Sequence, residues 1–127
     1  MAVAQGLLYT KDHEWAKVEG DTATVGITDY AQEQLGEVVF VELPKVGKEF
    51  GEHKEFAVVE SSKAASDVYC PAAGKVTEVN SELETKPELI NEDCYNAGWL
   101  CKLQITDRKA LENLMDAKKY EEYLKTL

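Results

Sequence analysis

Val58-Val59-Glu60-Ser61-Ser62-Lys63-Ala64-Ala65-Ser66-Asp67-Val68-Tyr69 is the stretch on which the reading of this chain turns. Two β-prone pieces, residues 56–60 and 67–70, flank a run of small residues that holds one lysine. The neighbours of Lys63 are Ser61, Ser62, Ala64, Ala65 and Ser66, so no bulky side chain shields its amine. A lone lysine at a tight turn between two strands is chemically approachable. Most loop lysines are solvated charges without a role, so the turn by itself decides little. Gly74 restarts a strand-like run over residues 75–80.

Outward from this hairpin the chain reads as short strands separated by turn signals. Residues 9–19 and 22–27 flank Gly20-Asp21, which predicts a β-hairpin. Ala23, Val25 and Ile27 alternate with Thr22, Thr24 and Gly26, the period of a half-buried strand. Asp29 is placed to cap a short helix over residues 30–35, with Gly36 in the left-handed turn that ends it. Residues 37–43 form a strand that Pro44 stops, with Val39, Val41 and Leu43 on one face. Residues 45–53 are charged turns around a brief strand, and residues 71–74 are a bend. Residues 80–96 are irregular, with one helical turn over residues 87–90. Trp99, Cys101, Leu103 and Ile105 alternate in a late strand.

Over the last twenty residues the period changes from 2 to 3.6. Leu111, Leu114 and Met115 share one helical face, and Tyr120, Tyr123, Leu124 and Leu127 share another. Asp107 and Asp116 stand where N-caps belong. The expected architecture is one mainly β domain over residues 1–127, a sandwich or barrel. Residues 1–6 are expected to be flexible, and residues 107–127 to be a helical cover.

Composition excludes several classes. At 127 residues one domain is expected, and 44% hydrophobic residues suffice for a core. The net charge of −10 opposes a nucleic-acid partner, whose phosphates require a basic footprint, and suits basic protein partners. No apolar run approaches the ~18–20 residues of a membrane span. The first residues resemble neither a signal nor a transit peptide. Cys70, Cys94 and Cys101 match no disulfide framework or zinc spacing and read as reduced thiols. With His13 and His53 as the only histidines, no metal cluster and no nucleophile–base pair is evident. His53 reads as solvated and His13 as a packing or hydrogen-bonding residue. Nothing here is a self-sufficient active site.

The residues alone leave three readings open: a modified carrier, an enzyme using Lys63 as a Schiff-base nucleophile, or an acidic interaction module. A Schiff-base lysine needs burial or a cationic neighbour, whereas Lys63 has Glu60 and Asp67 nearby.

The string from Glu60 to Asp67 resembles the lipoyl-lysine hairpin of the glycine cleavage system H protein family. Further blocks resemble that family in order: Tyr9-Thr10-Lys11-Asp12-His13-Glu14-Trp15, Val25-Gly26-Ile27-Thr28-Asp29-Tyr30-Ala31-Gln32, Leu35-Gly36-Glu37-Val38-Val39-Phe40-Val41, Glu88-Leu89-Ile90-Asn91 and Gly98-Trp99-Leu100. The resemblance implies a barrel-sandwich hybrid of the lipoyl/biotinyl-domain kind with short C-terminal helices. It implies lipoic acid as an N6-lipoyl amide on Lys63, within a motif context of Glu60, Ser61, Ser62, Ala64 and Gly74. It further implies a non-enzymatic carrier that shuttles an aminomethyl intermediate from glycine decarboxylase (P protein) to aminomethyltransferase (T protein). Dihydrolipoamide dehydrogenase (L protein) then reoxidises the arm. Glu14, Asp67 and Asp12 are the implied cleft residues for the loaded arm. The implied partners are the P, T and L proteins and a lipoate ligase or lipoyl transferase, with the carrier itself a monomer. The implied compartment is the mitochondrial matrix, with the bacterial cytoplasm as the alternative. A lipoyl domain of another multienzyme complex, or one serving lipoate transfer, is the alternative function. However, 2-oxoacid dehydrogenase domains usually carry Asp-Lys-Ala and biotin carriers Met-Lys-Met, where this chain has Ser62-Lys63-Ala64. Ser62 also departs from the Glu-Ser-Val-Lys common in the H-protein family, and Cys94 stands where many members have proline.

Overall fold

The computed structural model describes residues 2–127. In chain order the elements are β1 (Leu8–Tyr9), β2 (Glu14–Glu19), β3 (Thr22–Ile27), α1 (Asp29–Leu35), β4 (Val38–Glu42), β5 (Glu49–Phe50), β6 (Glu55–Ser61), β7 (Ala65–Tyr69), β8 (Gly74–Val79), α2 (Leu89–Glu92), β9 (Cys101–Ile105) and α3 (Ala117–Leu124). Two further 3-10 turns cover Ser81–Glu84 and Arg108–Asn113. One antiparallel sheet has the order β1-β2-β3-β9-β8-β5, and the other has the order β4-β6-β7.

Alternation explains how the sheets meet. Ala23, Val25 and Ile27 of β3 point inward, as do Cys101, Leu103 and Ile105 of β9. They share one core with Val38, Val41, Val59 and Val68 of the smaller sheet. Fully burying one such side chain contributes about 1.5–3 kcal/mol, so this shared core is what clamps sheet to sheet. A second cluster joins Leu7, Tyr9 and Trp15 to Ala117 and Tyr120 of α3. There the rings of Tyr9 and Tyr120 stack at 4.5 Å, tilted by only 2°. The late helix is thereby fixed over the start of the chain.

Several expectations need correction. The strand expected over residues 9–19 is broken. The Thr10 hydroxyl oxygen accepts from the backbone N–H groups of Asp12 and Glu14, and His13 takes φ 68°. A tight turn therefore separates β1 from β2. The cap of α1 is Thr28, whose Oγ1 accepts from Ala31 N, and Asp29 is the first helical residue. Gly36 does end the helix, at φ 82°. In β4 a bulge between Val38 and Phe40 breaks the alternation. Val38 and Val41 face the core and Val39 is exposed, so the face assigned to Val39, Val41 and Leu43 does not exist. The region 80–96 holds two short helical turns rather than one. Of the two C-terminal helices expected, the first is the 3-10 turn Arg108–Asn113 and only α3 is an α-helix. Asp107 and Asp116 cap them as read, accepting from Lys109 N at 3.0 Å and Lys119 N at 2.8 Å.

At the N-terminus, Ala2 N donates to Asp29 at 2.8 Å, and the Tyr95 hydroxyl donates to Ala2 O at 2.7 Å. Residues 2–4 are thus tied to α1 and to the second cluster, while Met1 lies outside the described residues. Among the described residues no helix is long and apolar enough to cross a membrane.

Candidate functional site

Lys63 stands at the tip of the β6–β7 hairpin. The Ser61 N–H donates to Ala64 O at 2.7 Å, which leaves Ser62 and Lys63 as a two-residue loop. The Ser61 side chain reinforces the closure. Its Oγ accepts from Lys63 N at 3.3 Å and Ala64 N at 3.0 Å. A serine here therefore does what a turn residue must: it satisfies backbone donors that no strand partner reaches. Glu60, Ser61 and Ala64 hold the loop, whereas Ser62 and Lys63 are exposed. The Lys63 side chain leans toward the end of α1. Its Cε lies 3.4 Å from where a Cβ on Gly36 would sit. Gly74 lies in the other sheet. A Cβ there would come within 2.7 Å of the Gln104 carbonyl, so close β8–β9 packing is what this glycine serves.

Beside the hairpin runs a cleft of about 170 Å³ between β7, α1 and the Thr10–Glu14 turn. Ile27, Ala31, Leu35 and Val68 make it apolar, and Asp12, Glu14 and Asp67 supply carboxylates. The structure thus brings together the three acidic residues singled out from sequence. Gly36, under the Lys63 side chain, directly follows Leu35 of the cleft wall, and Ser66 and Asp67 of the hairpin's second strand line the same cleft.

The three carboxylates differ in setting. Asp12 and Asp67 are exposed, whereas Glu14 is only 2% exposed. The Thr10 hydroxyl donates to Glu14 Oε1 at 2.5 Å, and the Tyr69 N–H donates to Oε2 at 3.2 Å. Glu14 therefore ties β2 of one sheet to β7 of the other. Burial pushes its carboxyl up to about 7, further than these two hydrogen bonds pull it down, and the Asp12 charge adds to the rise. His13 lines the same cleft and is pushed below its usual value by burial, against the pull of Asp12.

Two residues that sequence reasoning did not single out hold the site in place. The Tyr120 hydroxyl lies 2.8 Å from both His13 Nδ1 and Thr28 Oγ1, so α3 secures the turn that carries Asp12 and Glu14. Asn91 of α2 accepts from Val38 N at 2.8 Å and donates to Gly36 O at 2.8 Å and Gln32 at 2.9 Å. It ties the end of α1 to the start of β4, under the lysine. The helical period marked Tyr120 as apolar-facing but carried no sign of its hydroxyl partners. Asn91 lay in one of the blocks that resemble the family, but nothing in the pattern marked the contacts of its amide.

A family model described as Glycine cleavage H-protein matches residues 7–127. The chain belongs to this family. The glycine cleavage system H protein of Halothermothrix orenii is 56% identical over 124 residues, covering 98% of this chain and 97% of that one. That of Symbiobacterium thermophilum is 54% identical over 123 residues, covering 97% and 96%. The crystal structure of a glycine cleavage system H protein from Mycobacterium marinum aligns with a TM-score of 0.88 at 38% identity. It covers 95% of this chain and 98% of that one. The mainly β, barrel-sandwich architecture expected from sequence is therefore the fold of the H-protein family. These relatives are bacterial, which weighs against the mitochondrial compartment.

Proposed function

We propose that this chain is the lipoylated carrier of a glycine cleavage system, with the lipoyl amide on Lys63. The observation that carries the reading is an exposed lysine at the tip of a two-residue loop, with a carboxylate-lined cleft beside it. The residues present fit such a group. The loop offers a primary amine free of bulky neighbours, and the cleft offers an apolar wall for an alkyl chain. Bound there, the group supplies a disulfide that accepts the aminomethyl group derived from glycine and keeps it tethered between enzymes.

The chain's own residues present, shield and hold. Ser61 fixes the loop so that Lys63 stands exposed at its tip. Ile27, Ala31, Leu35 and Val68 keep water from whatever lies along them. Glu14 and Asp67, with Asp12 at the rim, accept a charge-assisted hydrogen bond from an ammonium at the far end of the cleft. Because Glu14 has a carboxyl near 7, its hold on a cation requires loss of its own proton.

Catalysis belongs to the partners: the P protein loads the carrier, the T protein unloads it, and the L protein reoxidises it. A lipoate ligase or lipoyl transferase modifies it beforehand. The bacterial relatives favour the cytoplasm, and the carrier acts as a monomer.

Intact mass and peptide mapping after reaction with lipoate ligase, lipoate and ATP test the assignment. One lipoyl group on Lys63 is expected, and none on Lys63→Arg. A Lys63→Arg chain that still supported glycine cleavage with the P, T and L proteins would refute the reading. The isolated chain with glycine, tetrahydrofolate and NAD is expected to release no carbon dioxide. For the cleft, Glu14→Gln is the informative change, because Glu14→Ala would leave both the Thr10 hydroxyl and the Tyr69 N–H without this acceptor, and glutamine keeps one of the two. With the T protein absent, ammonia release from the aminomethyl-loaded variant should exceed that of wild type by roughly tenfold, the value of one hydrogen bond to a charged group. Equal rates would remove Glu14 from this role.

A further inference from the structure

We propose that Val39 and Phe40, with the carboxylates around them, form the docking surface for the enzyme that acylates Lys63. The proposal rests on the carrier reading above.

Two large apolar side chains on this strand face solvent, Val39 at 52% and Phe40 at 53% exposure. The β4 bulge is what turns them out, since strict alternation would have buried one of them. They lie on an edge strand, as β4 ends the three-stranded sheet. The patch is continuous with the lysine hairpin. Phe40 is paired with Glu60, Val38 with Ser61, and the Ser62 N–H donates to Glu37 O at 3.2 Å. The Lys63 side chain itself leans over Gly36, three residues before Val39. Asn91 holds this platform from beneath.

Charge at the hairpin end of the patch has one sign, whereas at its other end Lys45 and Lys48 share a cleft with Glu42. No lysine or arginine occurs in residues 29–44, 55–62 or 87–101, the segments that build this side of the fold. Glu33, Glu37, Glu42 and Glu92 on these segments are exposed. Lys63 thus stands at the carboxylate-rich end of the apolar pair. A partner that fits presents an apolar pocket rimmed by lysine and arginine. A second copy of this chain does not fit, because it would set carboxylates against carboxylates.

The acylating enzyme is favoured over the others by where the bond forms. The unprotonated Lys63 nitrogen attacks the carbonyl carbon of an acyl-adenylate. The C–N bond forms, the nucleotide leaves with the electron pair, and a proton passes from nitrogen to solvent. That active site must close on the nitrogen itself, and so on the strand beside it. Enzymes that act at the far end of a long arm can stand away from the hairpin.

The test uses the full unmodified chain with a bacterial lipoate ligase, lipoate and ATP. For the Val39→Ser/Phe40→Ser variant, kcat/KM for lipoylation should fall at least tenfold, chiefly through KM. Its melting temperature should match wild type. So should the reactivity of Lys63 toward a small N-hydroxysuccinimide ester, read by peptide mass spectrometry. Glu37→Lys/Glu42→Lys, changed at two exposed positions, should also lose the salt dependence of the lipoylation rate. Either variant lipoylated within twofold of wild type with unchanged salt dependence overturns the proposal. So does an equal slowing with the small ester, which would mean a disturbed hairpin, or wild-type self-association that the serine variant abolishes. If wild-type chain took up no lipoyl group at all, the carrier reading would fail instead.

Discussion

Replacing Glu14 by glutamine separates the cost of a buried charge from the hydrogen bonds that Glu14 accepts. Its carboxyl sits near 7 in the folded chain, against 4.5 for an exposed glutamate. The folded state therefore binds this proton more tightly than the unfolded state. Its stabilising contribution is complete below pH 4.5 and is lost as pH rises to about 7. At about 1.36 kcal/mol for each pH unit in that window, the loss amounts to about 3 kcal/mol. Glutamine cannot titrate, so its stability lacks this slope. Its single amide oxygen can serve only one of the two donors, Thr10 or Tyr69, which costs about 1 kcal/mol. At pH 4 the variant should be the less stable chain by about 1 kcal/mol, the two should be equal near pH 5, and at pH 8 the variant should be the more stable by about 2 kcal/mol.

Urea unfolding of both chains from pH 4 to 9 measures this directly, with equal m-values confirming that the same surface is exposed. The difference between the two curves is the informative quantity. Burial holds His13 neutral, so His13 loses stability as pH falls below 6.5 and masks part of the Glu14 slope in wild type alone. It does so in both chains and cancels. Parallel curves, with no crossing between pH 4 and 8, would refute the claim that Glu14 is buried as an acid at the end of the cleft.

Three further outcomes follow from the geometry. Gly74→Ala forces a methyl to 2.7 Å from the Gln104 carbonyl and should cost about 1–3 kcal/mol, read as a lowered melting temperature with Lys63 still lipoylated. Ser61→Ala removes the acceptor for Lys63 N and Ala64 N and should cost about 1 kcal/mol. Its lipoylation rate should fall more than its stability, because the tip of the hairpin is what loosens. Tyr120→Phe strips the shared hydroxyl from His13 and Thr28 and should cost about 1–3 kcal/mol, with hydrogen exchange rising in the Thr10–Glu14 turn as well as in α3.

The strands were legible because a sheet with one buried face writes itself as alternation. Ala23, Val25, Ile27 and Cys101, Leu103, Ile105 are placed as their spacing predicts. Alternation failed where the backbone departs from period 2. The β4 bulge leaves the composition of Val38-Val39-Phe40-Val41 unchanged, yet it reverses which side chains meet the core. Likewise Thr28 and Asp29 are both good caps. The choice went to Thr28, while Asp29 accepts from the Gln32 side chain and from Ala2 N.

The site divides along the same physical line. Lys63 was legible because small neighbours between two β-prone runs are a local signal, and the loop that presents it is local as well. The carboxylates could be named but their differences could not. Asp12, Glu14 and Asp67 are equally ionisable on paper. Glu14 becomes the buried acid because Thr10 folds its backbone donors into a turn and His13 accepts a left-handed φ to complete it. That turn is held in place by Tyr120, more than a hundred residues away in sequence. A property that depends on a contact of that separation has no period or local motif to announce it. Burial, which sets the acidity of Glu14, is therefore visible only once α3 is seen packed against the start of the chain.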